Sequence, residues 1–275
     1  LSAQNSITRT QTSLSTSMTR LSTGYRINSA MDDAAGLQIA TRLKAQTSGM
    51  AVAMRNTQNS TSMLQTAEGA LDEVSNMLVR MKDLATQAAD QSSTSSDKDA
   101  MQLEYDALGL ELANVLDKTT FGGAKLIVGG TVGSAMTFQI GASSTETMTV
   151  DLSTDVGQVV TDVTAVTANY AGTAGGAEVK TAGAATTAIG ALDTALASVG
   201  KVRSGLGAAA NRLEHVYNNL ANVSTNSKAA TGRIMDTDFA TESSNMTAKQ
   251  MLMQAGTAML KQTNQMSSMV MSLLQ

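Results

Sequence analysis

The stretch Leu64–Ala88 reads LQTAEGALDEVSNMLVRMKDLATQA. Its apolar residues fall at Leu64, Ala67, Leu71, Val74, Leu78, Met81, Ala85 and Ala88, so steps of three and four alternate without a fault. That spacing lays one narrow apolar seam along a helix, and such a seam needs a partner helix to cover it. At 1.5 Å per residue the seam alone runs roughly 36 Å. Beyond a polar stretch, Ser96 with Asp99 three residues later resembles a capping box, with Asp in place of the usual Glu. A second stripe, Met101, Tyr105, Leu108, Leu112 and Val115, predicts a shorter helix that turns back on the first.

Working outward, both ends of the chain carry helical spacing. Leu252, Met259, Met266 and Leu273 repeat every seven residues, with Ala255 and Met269 between them. Ile7, Leu14 and Leu21 repeat at the same interval, with Met18 beside them. The two terminal seams are expected to pair with each other. Two helices with no globular body around them leave apolar surface over, which points to association with other copies. Asp238 is a plausible cap for the last helix.

The middle is different. Phe121-Gly122-Gly123 is a turn signal. Met136–Ile140 and Met148–Leu152 alternate apolar and polar around a glycine-containing loop, which predicts a β-hairpin. Val159 to Ala185, rich in Ala, Thr and Gly, shows no clean period and is expected to be a loop, with Ala171 to Ala182 dispensable. Helical spacing resumes at Ile189, Leu192, Leu196, Val199, Val202, Leu206, Ala209, Leu213, Val216, Leu220 and Val223, with one overwound step at Val199 to Val202. The polar stretch Asn222 to Thr231 reads as a joint or a frayed turn.

The chain has 275 residues, enough for one or two domains. Aromatics are 3% and Trp is absent, which disfavours deep ligand pockets. Eighteen Met suit irregular helix-on-helix packing. A net charge of −4 argues against nucleic acid. With no Pro, long uninterrupted helices are permitted; with no Cys, disulfides and thiolate metal sites are excluded. No run of about 18 consecutive apolar residues exists, so no membrane insertion is expected. No signal peptide is visible, and the chain starts at Leu1 rather than Met, so the natural start is expected to be missing or processed.

Leu21 to Leu43, LSTGYRINSAMDDAAGLQIATRL, closely resembles the N-terminal signature of bacterial flagellin. Val79–Gln87 (VRMKDLATQ), Thr119–Ile127 (TTFGGAKLI), Phe138–Leu152 (FQIGASSTETMTVDL), Ser204–Asn222 and Asp236–Asn245 (DTDFATESSN) are similar to flagellin blocks in the family's order, and Gln254–Gln275 to its last helix. The chain lacks the family's short segment before Leu1, and its end, MSSMVMSLLQ, lacks the usual Pro and the basic last residue. The resemblance implies a mainly α fold with long antiparallel coiled-coil helices from both termini, a small β-hairpin region and a short variable insert. Residues 1–32 and 236–275 would form the inner filament layer, 33–157 and 188–231 a second layer, 158–187 the outer insert, and 232–235 a joint. Ile7, Leu14, Leu21, Leu252, Met259, Met266, Met269 and Leu273 would be polymer interface.

The resemblance also assigns Arg80 and Leu84. They lie four apart, hence on one helix face, off the Leu78–Met81–Ala85 seam, where a surface position is expected. In flagellins the matching residues, with a Glu matching Glu104, are central to recognition by the flagellin-sensing Toll-like receptor of hosts. Other implied partners are further copies of the chain, an export chaperone, the filament cap and the hook-junction proteins. The implied location is the extracellular flagellum, reached without a cleaved signal peptide.

Signals for chemistry are weak. His215 is the only His, with no partner in sequence for a metal or catalytic role. Asp32 and Asp33 are adjacent and point to different faces, so they suit capping or a salt bridge to Arg26 or Arg42 rather than paired-acid catalysis. Asp236 and Asp238 lack the Gly and distal Glu of a calcium loop, and Gly129, Gly130 and Gly133 lead to no phosphate-loop lysine. No catalytic, cofactor or metal residue is assigned. The expected function is a non-enzymatic subunit that polymerises into the flagellar filament. A hook–filament junction protein is the nearest alternative, and a secreted enzyme on a helical scaffold a more distant one.

Overall fold

The structure, a computed structural model, describes residues 2–171 and 175–273, with side chains over 4–170 and 175–266. The helices are α1 (Ser2–Thr23), α2 (Ala34–Ala89), α3 (Ser95–Lys118), α4 (Ser153–Val166), α5 (Ala182–Met235) and α6 (Phe239–Leu273). Four short strands, β1 (Thr120–Phe121), β2 (Ala124–Lys125), β3 (Met136–Gln139) and β4 (Thr147–Val150), form two separate antiparallel hairpins. The chain divides into two compact units, 1–48 with 223–275, and 49–222.

The unit 49–222 is built on two matched seams. Every residue of the Leu64–Ala88 stripe on α2 is buried. The stripe also continues backward through Ala53 and Met50 by way of Thr57, whose hydroxyl donates to the Ala53 carbonyl 2.8 Å away. A buried hydroxyl so satisfied sits in an apolar seam without a desolvation penalty. On α5 the buried residues are Ala185, Ala188, Leu192, Ala195, Val199, Val202, Leu206, Ala209 and Leu213. These steps alternate three and four throughout. The overwound step expected at Val199 is absent, because Ala195 and not Leu196 lies in the seam.

By length and composition α5 could cross a bilayer, but its apolar side is packed in this core. Three of its charged side chains are paired: Arg203 with Glu68 and Asp72, Lys201 with Asp155, and Asp193 with Lys82.

The strands follow the sequence closely. Gly122 and Gly123 take φ of 59° and 86°, the left-handed pair that a two-residue hairpin turn needs between β1 and β2. Met136 faces Val150 and Phe138 faces Met148 across the β3–β4 pair. α3 begins two residues earlier than read. Thr94 is the cap, Asp97 its reciprocal partner, and Thr94 holds the Asp97 carboxyl below the usual range.

The loop reading of Val159–Ala185, and with it an outer insert over 158–187, needs correction. α4 occupies its first part, and Val156, Val159, Val163 and Val166 on one face are buried. Their spacing is three, four, three, which is helical. Asp162, also buried, accepts from Gln158 at 2.8 Å and from the Ser198 hydroxyl of α5. Past a 3-10 turn at Ala168–Ala171, Val179 is fully buried. Deleting 171–182 would therefore open the core.

In the other unit, α1 packs along α6. The first helix stops at Thr23 rather than continuing to residue 32, because Gly24 turns the chain with φ of 77°. The next residues pair with those after α5. Tyr25 bridges Asp236, Arg26 N–H donates to the Met235 carbonyl at 2.6 Å, and the Arg26 guanidinium donates to the Ile234 carbonyl at 2.9 Å. Asp32 accepts from the backbone of Asn28 and Ser29, and Asp33 from the Gly36 N–H, so of the two expected uses, capping or a salt bridge to Arg26 or Arg42, both carboxylates take the first. The stretch 222–231, read as a joint, is helical within α5. It lacks Pro, and hydroxyls such as that of Thr231 donate to its own carbonyls.

Along α1 the hydroxyls of Thr8, Thr10, Thr12, Thr16, Thr19 and Thr23 likewise donate to the carbonyl four residues back. All six threonines of this helix thus turn their hydroxyl donors onto its own backbone.

Candidate functional site

The α1–α6 pair sorts its residues onto two faces. On α1, Ile7, Thr10, Leu14, Ser17 and Leu21 lie toward α6, with Ser17 buried and the others half-buried. On α6 the covered face is Glu242, Met246, Lys249, Met253, Gly256 and Leu260, at steps of four and three. Gly256 is where Ile7 comes down: a Cβ added there would meet the Ile7 side chain at 3.1 Å. The Lys249 ammonium donates to the Ser17 hydroxyl at 2.9 Å, and Arg20 faces Glu242 at 3.8 Å.

The heptad read on α6 is therefore not the seam that meets α1. Leu252, Met259 and Met266 are 63%, 66% and 60% exposed. Ile7, Leu14 and Leu21 do face the partner helix, but the residues they meet include a lysine and a glycine, which a search for apolar heptads passes over. The side chains of Met269 and Leu273 lie outside the described residues. The result is a second row on α6, apolar, on the side away from α1.

The second place is on the unit 49–222. The Arg80 Nε donates to Glu104 Oε1 at 2.7 Å, joining α2 to α3, and both side chains are about half exposed. Exposed ion pairs add little stability, typically ~0–1 kcal/mol. Leu84 differs from expectation. It is only 3% exposed and belongs to the core, so it is not an open anchor beside Arg80. A seam does not exhaust a core: α2 is covered from more than one side, and Leu84 lies on a second covered face.

Sequence reading missed a buried polar cluster. Gln102, 2% exposed, donates from its amide to Asp106 and to Glu178, each at 2.8 Å, and accepts from the Val179 N–H at 2.8 Å. Asn169 adds a bond to Asp106 at 2.8 Å, Glu178 accepts from the Ala168 N–H, and the Tyr105 hydroxyl donates to the Val166 carbonyl at 2.8 Å. Burial, then Glu178 and Asp106, push the Tyr105 hydroxyl well above its usual range. The cluster fastens Val166, Ala168, Asn169, Glu178 and Val179 to α3.

His215 is exposed and lines a shallow groove of about 330 Å³ with Glu146, Val216 and Asn219. Among the described residues no group of three or more metal-binding side chains converges.

Comparison with known proteins agrees with that arrangement. The bacterial flagellin N-terminal helical region matches residues 1–131, and the bacterial flagellin C-terminal helical region matches 189–274. Polar flagellin F of Vibrio parahaemolyticus is 46% identical over 152 residues, 55% of this chain and 40% of that protein. Flagellin A of Vibrio cholerae is 47% identical over 152 residues, with the same shares. The matched stretch thus spans about 40% of the length of these curated relatives. A solved structure from Vibrio parahaemolyticus, described as a flagellar hook-associated protein, superposes with a TM-score of 0.56 over 74% of this chain and 100% of that one. Its identity is 17%, so the likeness is one of fold. With both helical regions matched in order and together covering most of the sequence, this chain belongs to the bacterial flagellin family.

Proposed function

We propose that this protein is a structural subunit that polymerises into the bacterial flagellar filament, outside the cell. The observation that carries the reading is the outward row Leu252, Met259 and Met266, apolar and more than half exposed on a helix whose other side is already occupied. No described residue of the single chain covers it, and neighbouring copies would. The inner-layer reading of 1–32 with 236–275, the second layer of 33–157 and 188–231, and export without a cleaved signal peptide belong to this proposal. The flagellin sequence matches favour a filament subunit over a junction protein. Arg80 with Glu104 is the exposed pair offered to a host receptor, and Leu84 would act there only through packing.

The test is seeded growth. Purified protein is added to short filament seeds and followed by sedimentation and electron microscopy. Met259→Asp, on the outward row, should abolish elongation while the monomer's circular dichroism is unchanged. Leu260→Asp, on the α1 side, should loosen the terminal helices of the monomer itself. Elongation by Met259→Asp at the parent's rate would remove the proposal's basis.

A further inference from the structure

The methionines of this chain run from buried, through half-buried at Met54, Met63, Met235, Met246 and Met253, to exposed, with Met18 on α1 exposed as well. Met50, Met77, Met81, Met101, Met136 and Met148 are all buried, none more than 8% exposed. Met251, Met259 and Met266 stand 59%, 66% and 60% exposed on α6, at or beside the outward row. Leucine would serve burial equally well; a thioether differs by being oxidisable. Its sulfur lone pair attacks a peroxide oxygen, the O–O bond breaks, an S–O bond forms and water leaves. Sulfur is oxidised by two electrons and the peroxide is reduced by two. The product is a polar, chiral sulfoxide that methionine sulfoxide reductases return to the thioether. The buried sulfurs are shielded from the oxidant by packing.

We infer that Met251, Met259 and Met266 form a reversible oxidation site, with hydrogen peroxide as the oxidant class, and that their sulfoxides prevent the outward face of α6 from being buried. The consequence for assembly rests on the filament reading above; the site does not. Each sulfoxide facing an apolar contact leaves a polar oxygen without a partner, which lowers association by about tenfold per site.

The experiment uses the purified full chain. Monomer is treated with limiting hydrogen peroxide and mapped by peptide mass spectrometry. Met31, 96% exposed, is the internal reference for free access. Met251, Met259 and Met266 should oxidise at rates near that of Met31, with Met81 and Met136 far behind. Oxidation of the buried set at the same rate would overturn the site. Treated monomer should then fail to extend seeds and recover after reductase treatment. The triple variant Met251→Leu, Met259→Leu, Met266→Leu, which lacks the oxidisable sulfurs, is compared with itself: whatever its rate of seed extension, that rate should not change on peroxide treatment. If treated parent elongates normally, or the triple variant loses elongation on treatment as the parent does, the switch is wrong. If untreated parent does not elongate at all, the filament reading falls instead, and the peptide map alone decides the site.

Discussion

Replacing Gln102 by leucine tests whether 166–179 is part of the core or a loop resting on it. The two side chains are close in volume, so little cavity is created. What is lost is chemistry. The Val179 N–H, buried with its residue, loses its acceptor, and an orphaned buried donor costs about 1–3 kcal/mol. Asp106 and Glu178 lose one donor each but are only half-buried, so they can turn toward water, and the pair adds about 1 kcal/mol. The sum is about 2–4 kcal/mol of destabilisation. Urea unfolding should show a lower midpoint with the slope unchanged, as for a change in stability alone. Amide exchange should speed first at Val179 and Ala168. A shift smaller than about 0.5 kcal/mol, typical of a surface substitution, would refute the reasoning and restore the loop.

The two candidate caps of α3 separate cleanly: Thr94→Ala should cost about 1 kcal/mol and Ser96→Ala within about 0.5 kcal/mol, read by thermal melts. Asp117, bonded to Lys118 and then Lys125, is held down at about 2. A depressed carboxyl contributes stability that is present above its ordinary 3.8 and is lost as pH falls through about 2, so carbon-detected NMR should place its titration there and Lys125→Ala should raise it. Leu84→Ala should lower stability by about 2–5 kcal/mol through its cavity, whereas Arg80→Ala should change it by at most about 1 kcal/mol. In a reporter assay for the flagellin-sensing receptor, Arg80→Ala should still weaken the response of folded monomer; full potency would remove Arg80 from the recognition surface.

What the sequence disclosed, and what it hid, has physical causes. The Gly122-Gly123 turn and the β3–β4 hairpin were legible because turn chemistry and strict alternation are local. The α2 seam was legible over Leu64–Ala88 but not back to Met50, since Thr57 is polar and becomes acceptable only when bonded to Ala53. α4 was hidden by its β-branched, threonine- and valine-rich composition, although four of its five valines already had helical spacing. On α6 two periodic rows compete. The apolar one caught the eye, while the row that meets α1 includes Lys249 and Gly256, whose fitness depends on Ser17 and Ile7 more than 230 residues away. Burial of Leu84 and the Gln102 cluster were likewise set by long-range partners.

The Arg26 bonds to the carbonyls of Ile234 and Met235 close a span of 208 residues, and the Lys249 bond to Ser17 closes one of 232. Contacts so distant along the chain form after local ones, because the intervening segment must first be ordered. During synthesis α1 is made well over 200 residues before α6, so the earlier element waits for the later one before its face can be covered. The unit 49–222 needs neither. Refolding should then have two clocks: a fast one for the hairpins and the α2–α5 seams, and a slow one for the meeting of the two ends. The unit of 1–48 with 223–275 is the part of the molecule whose existence depends on two distant stretches both having been made.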